Sequence, residues 1–278
     1  MQQITAEMIY YPNAKINIGL NIVEKRPDGY HNLETIFYPI PLNDVLEVVH
    51  NKNGQEPYVL GNSGIIVDSK AEDNICVKAF ELIRAKYQIP PISIHLHKMI
   101  PFGAGLGGGS ADGAFMLKLL NKEFNLGISD DELRHMAAQL GADCAFFIHN
   151  QPAYATGIGD VLKPIDLDLS GYYFALIKPS IHVSTPEAYA GIKPKQTTNS
   201  LCDLVKLPIE QWKHHIKNDF EASVFRKHPR IGKIKMGLYE AGALYACMSG
   251  SGSSVFGIFK EKPALQVEEN DYSWIKKL

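Results

Sequence analysis

The chain has 278 residues and a mass of 30.9 kDa, which is enough for two ordinary domains that bury a core without disulfides or metals. Hydrophobic residues make up 45% and charged residues 21%, and this balance excludes a disordered or fibrous chain. The formal charge is only −2, so we expect no general attraction to nucleic acid, and any polyanion site must be local.

The cysteines and the hydropathy of the chain bear on its compartment. Cys76, Cys144, Cys202 and Cys247 form no C-x-x-C pair, which favours buried thiols in a reducing compartment. No run reaches the roughly 18 apolar residues that a spanning helix needs, and the first residues lack the pattern of a signal peptide. The sequence therefore predicts a cytoplasmic protein with neither a nucleic acid nor a membrane as partner.

The first half of the chain is predicted to start with strands. Apolar residues alternate with polar ones over residues 14–23, which is typical of a half-buried strand. Further along, turn residues and periodicity predict strands over 33–38 and 45–49, loop and edge structure over 51–70, a helix over 73–88, and a strand over 92–98.

The best-specified helix lies after a glycine-rich segment. Ser129 and Glu132 have the spacing of a capping box, apolar residues recur at helical intervals from Leu133 to Leu140, and Gly141 stands at the end. We predict an amino-terminal domain over residues 1–155 and a second domain over 156–278. The second domain should hold strands over 172–178 and 255–259 and helices around Trp212 and over 234–241.

The glycine-rich segment is the strongest functional signal. Between Gly103 and Gly109 only Ala104 and Leu106 are not glycine. Glycines permit positive φ and let main-chain N–H groups approach a ligand, and the helix predicted over 115–124 adds unpaired donors and a partial positive charge. A strand, a glycine loop and a helix in this order predict a polyphosphate site.

Three other interpretations of these glycines differ in the ligand that they predict. A Walker A loop needs a lysine where Gly109 precedes Ser110, so that signature fails. A dinucleotide fingerprint fits Gly103, Gly105 and Gly108, which leaves a nicotinamide-dependent oxidoreductase open. A glycine-rich turn without a ligand is the third alternative.

The segment 101–114 resembles the phosphate loop of the GHMP kinases, the family that contains homoserine and mevalonate kinases. Residues 13–20 resemble the first motif of that family, and residues 248–256 resemble the third. Residues 25–31 and 140–143 resemble the members that act on 4-diphosphocytidyl-2-C-methyl-D-erythritol. The likeness spans nearly the whole chain. It departs from the family at Ala111, where the family often has a second hydroxyl. Ser110 is therefore the remaining candidate metal ligand.

The resemblance implies a fold and an activity. The fold would be α+β with two domains, the first like domain 2 of ribosomal protein S5 and the second ferredoxin-like. ATP with Mg²⁺ would phosphorylate the 2-hydroxyl of 4-diphosphocytidyl-2-C-methyl-D-erythritol in non-mevalonate isoprenoid precursor biosynthesis, and the protein would be a monomer or homodimer. A homoserine or mevalonate type of kinase and an S5-like nucleic-acid-binding module remain alternatives.

Two residues are candidates for catalysis. Asp143 stands in an apolar stretch, where a carboxylate is costly to bury without a partner, although it could also cap the next element or pair with an arginine. Lys15 is a lone cation on the first predicted strand and could be a solvated strand lysine. The resemblance implies that Asp143 accepts the proton of the 2-hydroxyl, while Lys15 keeps that carboxylate charged and polarises the hydroxyl.

The remaining candidates bind ligands by resemblance or by residue chemistry. Asn17 shares a strand face with Lys15, a Tyr30 ring can stack on a nucleobase, and His31 can hydrogen-bond a cytosine edge. Thr185 and Tyr189 would form the wall of the second domain, with Tyr189 facing Tyr30 across the cytosine. The expected ATP-binding residues are Pro101, Gly103, Gly105, Leu106, Gly107, Gly108, Gly109, Ser110, Lys98 near the phosphates and Asn74 near adenine. Lys98 and Asn74 could equally be surface polar residues.

Overall fold

The structure is a computed structural model that describes residues 8–51, 54–66 and 70–278. The strands are β1 (Met8–Tyr10), β2 (Asn13–Lys25), β3 (His31–Asn43), β4 (Val45–His50), β5 (Tyr58–Gly64), β6 (Ile92–Lys98), β7 (Ala153–Thr156), β8 (Val161–Pro164), β9 (Tyr173–Lys178), β10 (Tyr245–Met248), β11 (Val255–Phe259) and β12 (Tyr272–Lys277). The helices are α1 (Ile75–Arg84), α2 (Gly108–Glu123), α3 (Asp130–Leu140), α4 (Phe146–His149), α5 (Thr185–Tyr189), α6 (Leu201–Leu204), α7 (Ile209–His215), α8 (Glu221–Lys227) and α9 (Pro229–Glu240).

The chain divides into two compact units that interleave along the sequence. The first consists of the described residues up to Ala14, Leu42–Ile100 and Gly107–Asn150. The second consists of Lys15–Pro41, Pro101–Leu106 and Gln151–Leu278. The division into domains at residue 155 stays a prediction.

The first unit combines a four-stranded sheet with helices. Its strand order is β1-β4-β6-β5, and β5 runs parallel to β6 while the other pairs are antiparallel. Helix α1 contacts this sheet where Phe80 meets Tyr58, and α2 contacts it where Phe115 meets Tyr10. The helices therefore cover the sheet and bury the alternating apolar side chains of β6.

The second unit contains two sheets, ordered β2-β3-β7-β8 and β10-β11-β9-β12. The β10-β11-β9-β12 sheet is antiparallel throughout, and its apolar core is shared with α5, α8 and α9. Members of that core include Ile177, Ala188, Val224, Leu238 and Val255. The segregation of sheets and helices in both units confirms the α+β expectation.

Strand β2 corrects the sequence analysis in one respect. The alternation over residues 14–23 predicted a half-buried strand, yet residues 14–22 are buried on both faces. The polar residues Lys15, Asn17 and Asn21 are no more than 6% exposed. Lys15 and Asn17 are tolerated in this position because their polar side chains find hydrogen-bond partners inside the fold.

Most other predicted elements have the right type and differ at their ends. The strand over 92–98 and the capped helix after Ser129 are confirmed. Helix α1 ends at Arg84, before the predicted Gln88, and the edge structure predicted over 51–70 includes β5. Helix α2 starts at Gly108 rather than Phe115, so the last two glycines and Ser110 form its first turn. In the part of the chain that the structure describes, no helix is long and apolar enough to cross a membrane.

The cap of α3 generates a stability prediction. The Ser129 hydroxyl accepts a hydrogen bond from the N–H of Glu132 at 3.3 Å. We expect Ser129→Ala to lower the free energy of unfolding by about 1 kcal/mol, because an N-terminal donor loses its partner. Ser129→Asp is the control, since aspartate also caps helices and should keep the wild-type value in urea unfolding; an equal loss in both variants would contradict the capping role.

Candidate functional site

The glycine loop has the backbone that its composition predicts. Gly103, Gly105 and Gly107 have φ values of +57°, +73° and +68°, a region that side chains with a Cβ rarely adopt. The two other residues, Ala104 and Leu106, are 2% and 1% exposed, so their side chains anchor the loop. Gly107 is the N-cap of α2, and the next amides lie at the positive end of that helix.

The third motif lies directly against this loop. The Ser249 hydroxyl donates to the carbonyl oxygen of Gly105 at 2.8 Å and receives the N–H of Asn17 at 3.2 Å. A Cβ on Gly105 would lie 2.0 Å from the Ser249 carbonyl oxygen. Asn218, which the sequence analysis missed, fixes the motif by donating to the carbonyl oxygens of Met248 at 2.8 Å and Gly250 at 2.7 Å.

Lys15 is buried beside the loop rather than solvated. Its side chain is 3% exposed, and its Nζ donates to Asn17 Oδ1 at 2.7 Å and to the Gly105 carbonyl at 3.4 Å. The Asn17 amide donates in turn to Thr35 Oγ1 at 3.0 Å. The structure thus brings together Lys15, Asn17 and the glycine loop, three of the predicted features.

Two predicted site residues of the first unit, Ser110 and Asp143, both influence the Cys144 thiol. Burial raises the pKa of the Cys144 thiol to about 11, the hydrogen bond with Ser110 opposes this shift, and the negative charge of Asp143 adds to it. Asp143 follows α3 and is half-buried. Because Asp143 and Lys15 lie in different units, their pairing stays a prediction.

The predicted substrate residues of the second unit include an aromatic stack. The His31 and Tyr189 rings lie parallel within 27° with centroids 4.9 Å apart, and Phe220 packs edge-on against Tyr189. Tyr30, the next residue to His31, is 62% exposed. The proposed sandwich of cytosine between Tyr30 and Tyr189 stays a prediction.

Helix α5, which carries Thr185 and Tyr189, is held by one of its own carboxylates, that of Glu187, which contacts two side chains. Glu187 Oε1 lies 2.8 Å from Lys227 Nζ and 2.7 Å from His228 Nε2. The hydrogen bonds from Lys227 and His228 lower the pKa of Glu187 to about 2. The carboxylate therefore stays charged at neutral pH and keeps α5 attached to α8.

Asn74 and Lys98 are not surface residues, contrary to one of the alternatives considered. Asn74 is 7% exposed and caps α1 by accepting the N–H of Cys76 at 2.9 Å. Lys98 is 1% exposed, and its Nζ pairs with Asp44 and with Asp112 Oδ2, the latter at 2.6 Å. Their predicted contacts with ATP stay predictions.

Asp44 and Asp112 are buried carboxylates that the sequence analysis did not single out. Asp44 Oδ1 accepts the N–H groups of Met99 at 2.6 Å and Ile100 at 2.8 Å. Burial raises the pKa of Asp112 to about 8, with Lys98 lowering it and Asp44 raising it. Burial opposes the charge on Lys98, yet Asp112 and Asp44 raise its pKa overall. Asp112 Oδ1 is buried without a hydrogen-bond partner, which fits a neutral carboxyl group.

The described residues hold no cluster of three or more histidine, cysteine or acidic side chains that could bind a metal.

Comparison with known proteins identifies the relatives of the chain. The sequence profiles for the GHMP kinases N terminal domain and the GHMP kinases C terminal match residues 74–151 and 203–270. The 4-diphosphocytidyl-2-C-methyl-D-erythritol kinase of Bacteroides fragilis is 54% identical over 265 residues, which cover 95% of this chain and 96% of the relative. The enzyme of that name from Parabacteroides distasonis is 55% identical over 266 residues, 96% of each chain.

A solved structure extends the likeness to the fold. A crystal structure of 4-(cytidine 5′-diphospho)-2C-methyl-D-erythritol kinase has a TM-score of 0.73 and 32% identity, and the match covers 90% of each chain. An identity of this size over nearly the whole length relates both compact units of this chain to that enzyme.

The loop geometry predicts different effects for two glycine substitutions. Gly105→Ala should destabilise the protein by at least about 2 kcal/mol, because it combines a positive φ with a backbone clash against Ser249. At Gly109 nothing lies within 4 Å of an added Cβ, so Gly109→Ala should keep stability while reducing nucleotide affinity. Thermal unfolding and ATP titration measure the two effects; equal stability in both variants would contradict the described loop.

The raised pKa of Asp112 predicts that the stability of the protein depends on pH. Its folded pKa of about 8 lies above the ordinary value of 3.8, so the folded state binds more protons between these values, and stability falls as pH rises through this window. We expect the free energy of unfolding to fall between pH 5 and 8 by up to about 1.4 kcal/mol per pH unit more in the wild type than in Asp112→Asn. Identical slopes would show that Asp112 is ionised throughout.

Proposed function

This chain belongs to the GHMP kinases, among the 4-diphosphocytidyl-2-C-methyl-D-erythritol kinases, and we propose that it transfers the γ-phosphoryl group of ATP to the 2-hydroxyl of 4-diphosphocytidyl-2-C-methyl-D-erythritol. The chain has the α+β fold of that family and is a phosphotransferase with an alcohol as acceptor. The reaction would serve the synthesis of isoprenoid precursors. The observation that carries the proposal is the identity with named relatives over nearly their whole length.

The glycine loop would bind the polyphosphate of ATP. Its glycines leave the main chain bare at positive φ, and the amides of Gly108, Gly109 and Ser110 precede the first intrahelical hydrogen bond of α2, which runs from Ala111 N–H to Gly107. Such amides, at the positive end of a helix, stabilise phosphate charge. Pro101, Gly103 and Leu106 would shape the approach to these donors.

The proton of the acceptor hydroxyl would go to Asp143. Lys15, held by Asn17 and the Gly105 carbonyl, would polarise that hydroxyl and keep the carboxylate ionised. Asn17 would orient the same part of the substrate. The enzyme would thereby align acceptor and donor, which is the main catalytic task in phosphoryl transfer.

The cytidine group would be recognised by aromatic residues of the second unit. Tyr30 has an exposed ring and precedes His31, a member of the His31–Tyr189 stack, in the chain, and a nucleobase can stack on such rings. His31 would hydrogen-bond the cytosine edge, and Thr185 at the start of α5 would line the same wall. Asn74 uses its Oδ1 for the α1 cap, so its contact with adenine would come from Nδ2.

Magnesium is part of the proposal. It would neutralise part of the charge on the ATP phosphates, because the loop contains no lysine that could do so. Ser110 would supply the hydroxyl that binds Mg²⁺, because the next residue, Ala111, has no hydroxyl and is buried. We further propose a cytoplasmic enzyme, a monomer or homodimer, whose partner is this small-molecule substrate.

Substrate specificity is tested by measuring ATP consumption against a panel of alcohols. The panel holds 4-diphosphocytidyl-2-C-methyl-D-erythritol, the same alcohol without its cytidine diphosphate group, homoserine and mevalonate. We expect turnover with the cytidine compound alone. Turnover restricted to alcohols without cytidine would refute the assigned substrate, and a nicotinamide-dependent absorbance change without ATP would favour an oxidoreductase.

The role of Asp143 is tested by its neutral isostere. Asp143→Asn should lower kcat by at least about a hundredfold and leave the KM for both substrates nearly unchanged, because a positioned base acts mainly in the transition state. Asp131→Asn, the same change at an exposed position on α3, is the control and should retain full activity. A wild-type kcat in Asp143→Asn would exclude the base role.

A further inference from the structure

The two ends of the glycine loop are attached to one buried group of charges, the Asp44–Lys98–Asp112 cluster. Asp44 Oδ1 accepts the N–H groups of Met99 and Ile100, the residues immediately before the loop. Lys98 pairs with both Asp44 and Asp112, and Asp112 belongs to the first turns of α2, immediately after the loop. All of these residues belong to the same compact unit.

The backbone at the end of the loop packs closely against the residues that precede the loop. A Cβ on Gly108 would lie 2.8 Å from Ile100 Cγ2 and 3.5 Å from Lys98 Nζ. The first residue of α2 therefore lies directly against both the lysine and the residue before the loop. A change at either carboxylate would shift the start of the loop relative to its end.

The burial of Lys98 argues against a direct role in binding phosphate. Its side chain is 1% exposed and already pairs with two carboxylates, whereas a lysine that reaches a phosphate needs an open path to the ligand. Three buried ionisable groups are costly to keep in a fold, and here they stand where the loop begins and ends.

We propose that Asp44 and Asp112 are positioning residues for phosphoryl transfer, which act through Lys98 by holding both ends of the glycine loop. The inference rests on the proposed function, in which this loop binds ATP. Asp44 holds the start of the loop through two main-chain hydrogen bonds. Asp112 holds the end by giving Lys98 an acceptor oxygen, a function that does not require a negative charge.

The proposal distinguishes two substitutions at one position. Asp112→Ala removes the acceptor oxygen and should raise the KM for ATP at pH 7 about tenfold, as expected when a charge-assisted hydrogen bond is lost. Asp112→Asn keeps an acceptor and should stay within about threefold of the wild type. Asp44→Asn should also raise the KM for ATP about tenfold, because an amide has one acceptor oxygen, whereas Asp44 uses one oxygen for Lys98 and the other for the N–H groups of Met99 and Ile100. The KM for the cytidine substrate should change less than twofold in all three variants.

Asp271 offers a matched control. It is also a buried carboxylate with a cationic partner, Arg230 at 2.8 Å, and it also accepts a main-chain N–H, that of Ser180. Asp271→Ala and Asp271→Asn should lower the melting temperature as the cluster variants do and leave the KM for ATP unchanged. Similar KM changes in the Asp271 variants would reduce the cluster to a purely structural role and overturn the proposal.

Asp112→Asn keeps the proposal testable if Asp44→Asn or Asp112→Ala fails to fold. Asparagine has an oxygen that can replace Asp112 Oδ2, the acceptor that lies 2.6 Å from Lys98 Nζ. An Asp112→Asn enzyme that folds as the wild type does but has a KM for ATP raised about tenfold would contradict a positioning role that needs only an acceptor oxygen.

The outcomes separate this inference from the proposed function. A wild-type protein that does not phosphorylate the cytidine substrate refutes the function. An active wild type whose Asp112→Ala and Asp44→Asn variants stay within twofold of its KM for ATP overturns the positioning role alone.

Discussion

Phosphate binding by main-chain N–H groups requires a backbone that is both uncovered and fixed, and the rest of this site depends on that constraint. Positive φ values at three glycines keep the loop uncovered. The same freedom makes glycine costly to order, so neighbouring groups must hold the loop in place. The buried side chains of Ala104 and Leu106, the third motif and the ends of the loop provide that support.

The supporting groups are polar and buried, which is an expensive arrangement. Lys15, Asn17, Lys98, Asp44 and Asp112 are all nearly inaccessible to solvent, and each would destabilise the fold without a partner. Hydrogen bonds between neighbouring side chains and to the main chain offset this cost. Costly buried groups are thus concentrated around the glycine loop, as is common where geometry must be kept within narrow limits.

Local sequence signals predicted the elements whose formation depends on neighbouring residues. The alternation in β6 and the cap at Ser129 are of this kind, and the glycines around residue 105 indicated their own backbone geometry. Burial of β2 on both faces could not be predicted, because it depends on elements distant in sequence. The same holds for Asp44, Asp112 and Asn218, whose partners described above lie 14 to 56 residues away. Their sequence signal was a polar residue beside apolar ones, which also describes many surface positions.

In the proposed function the loop binds its ligand through main-chain N–H groups, and this would affect how inhibitors of such an enzyme lose potency. A compound that binds the loop amides contacts N–H groups that every residue type except proline has, so most point mutations leave those donors in place. A compound that binds the His31–Tyr189 stack relies on side chains that a single codon change can replace. Resistance should therefore arise more readily against compounds that bind the His31–Tyr189 stack. The same compounds should more easily be made selective over other nucleotide-binding proteins, because side chains differ between proteins more than main-chain amides do.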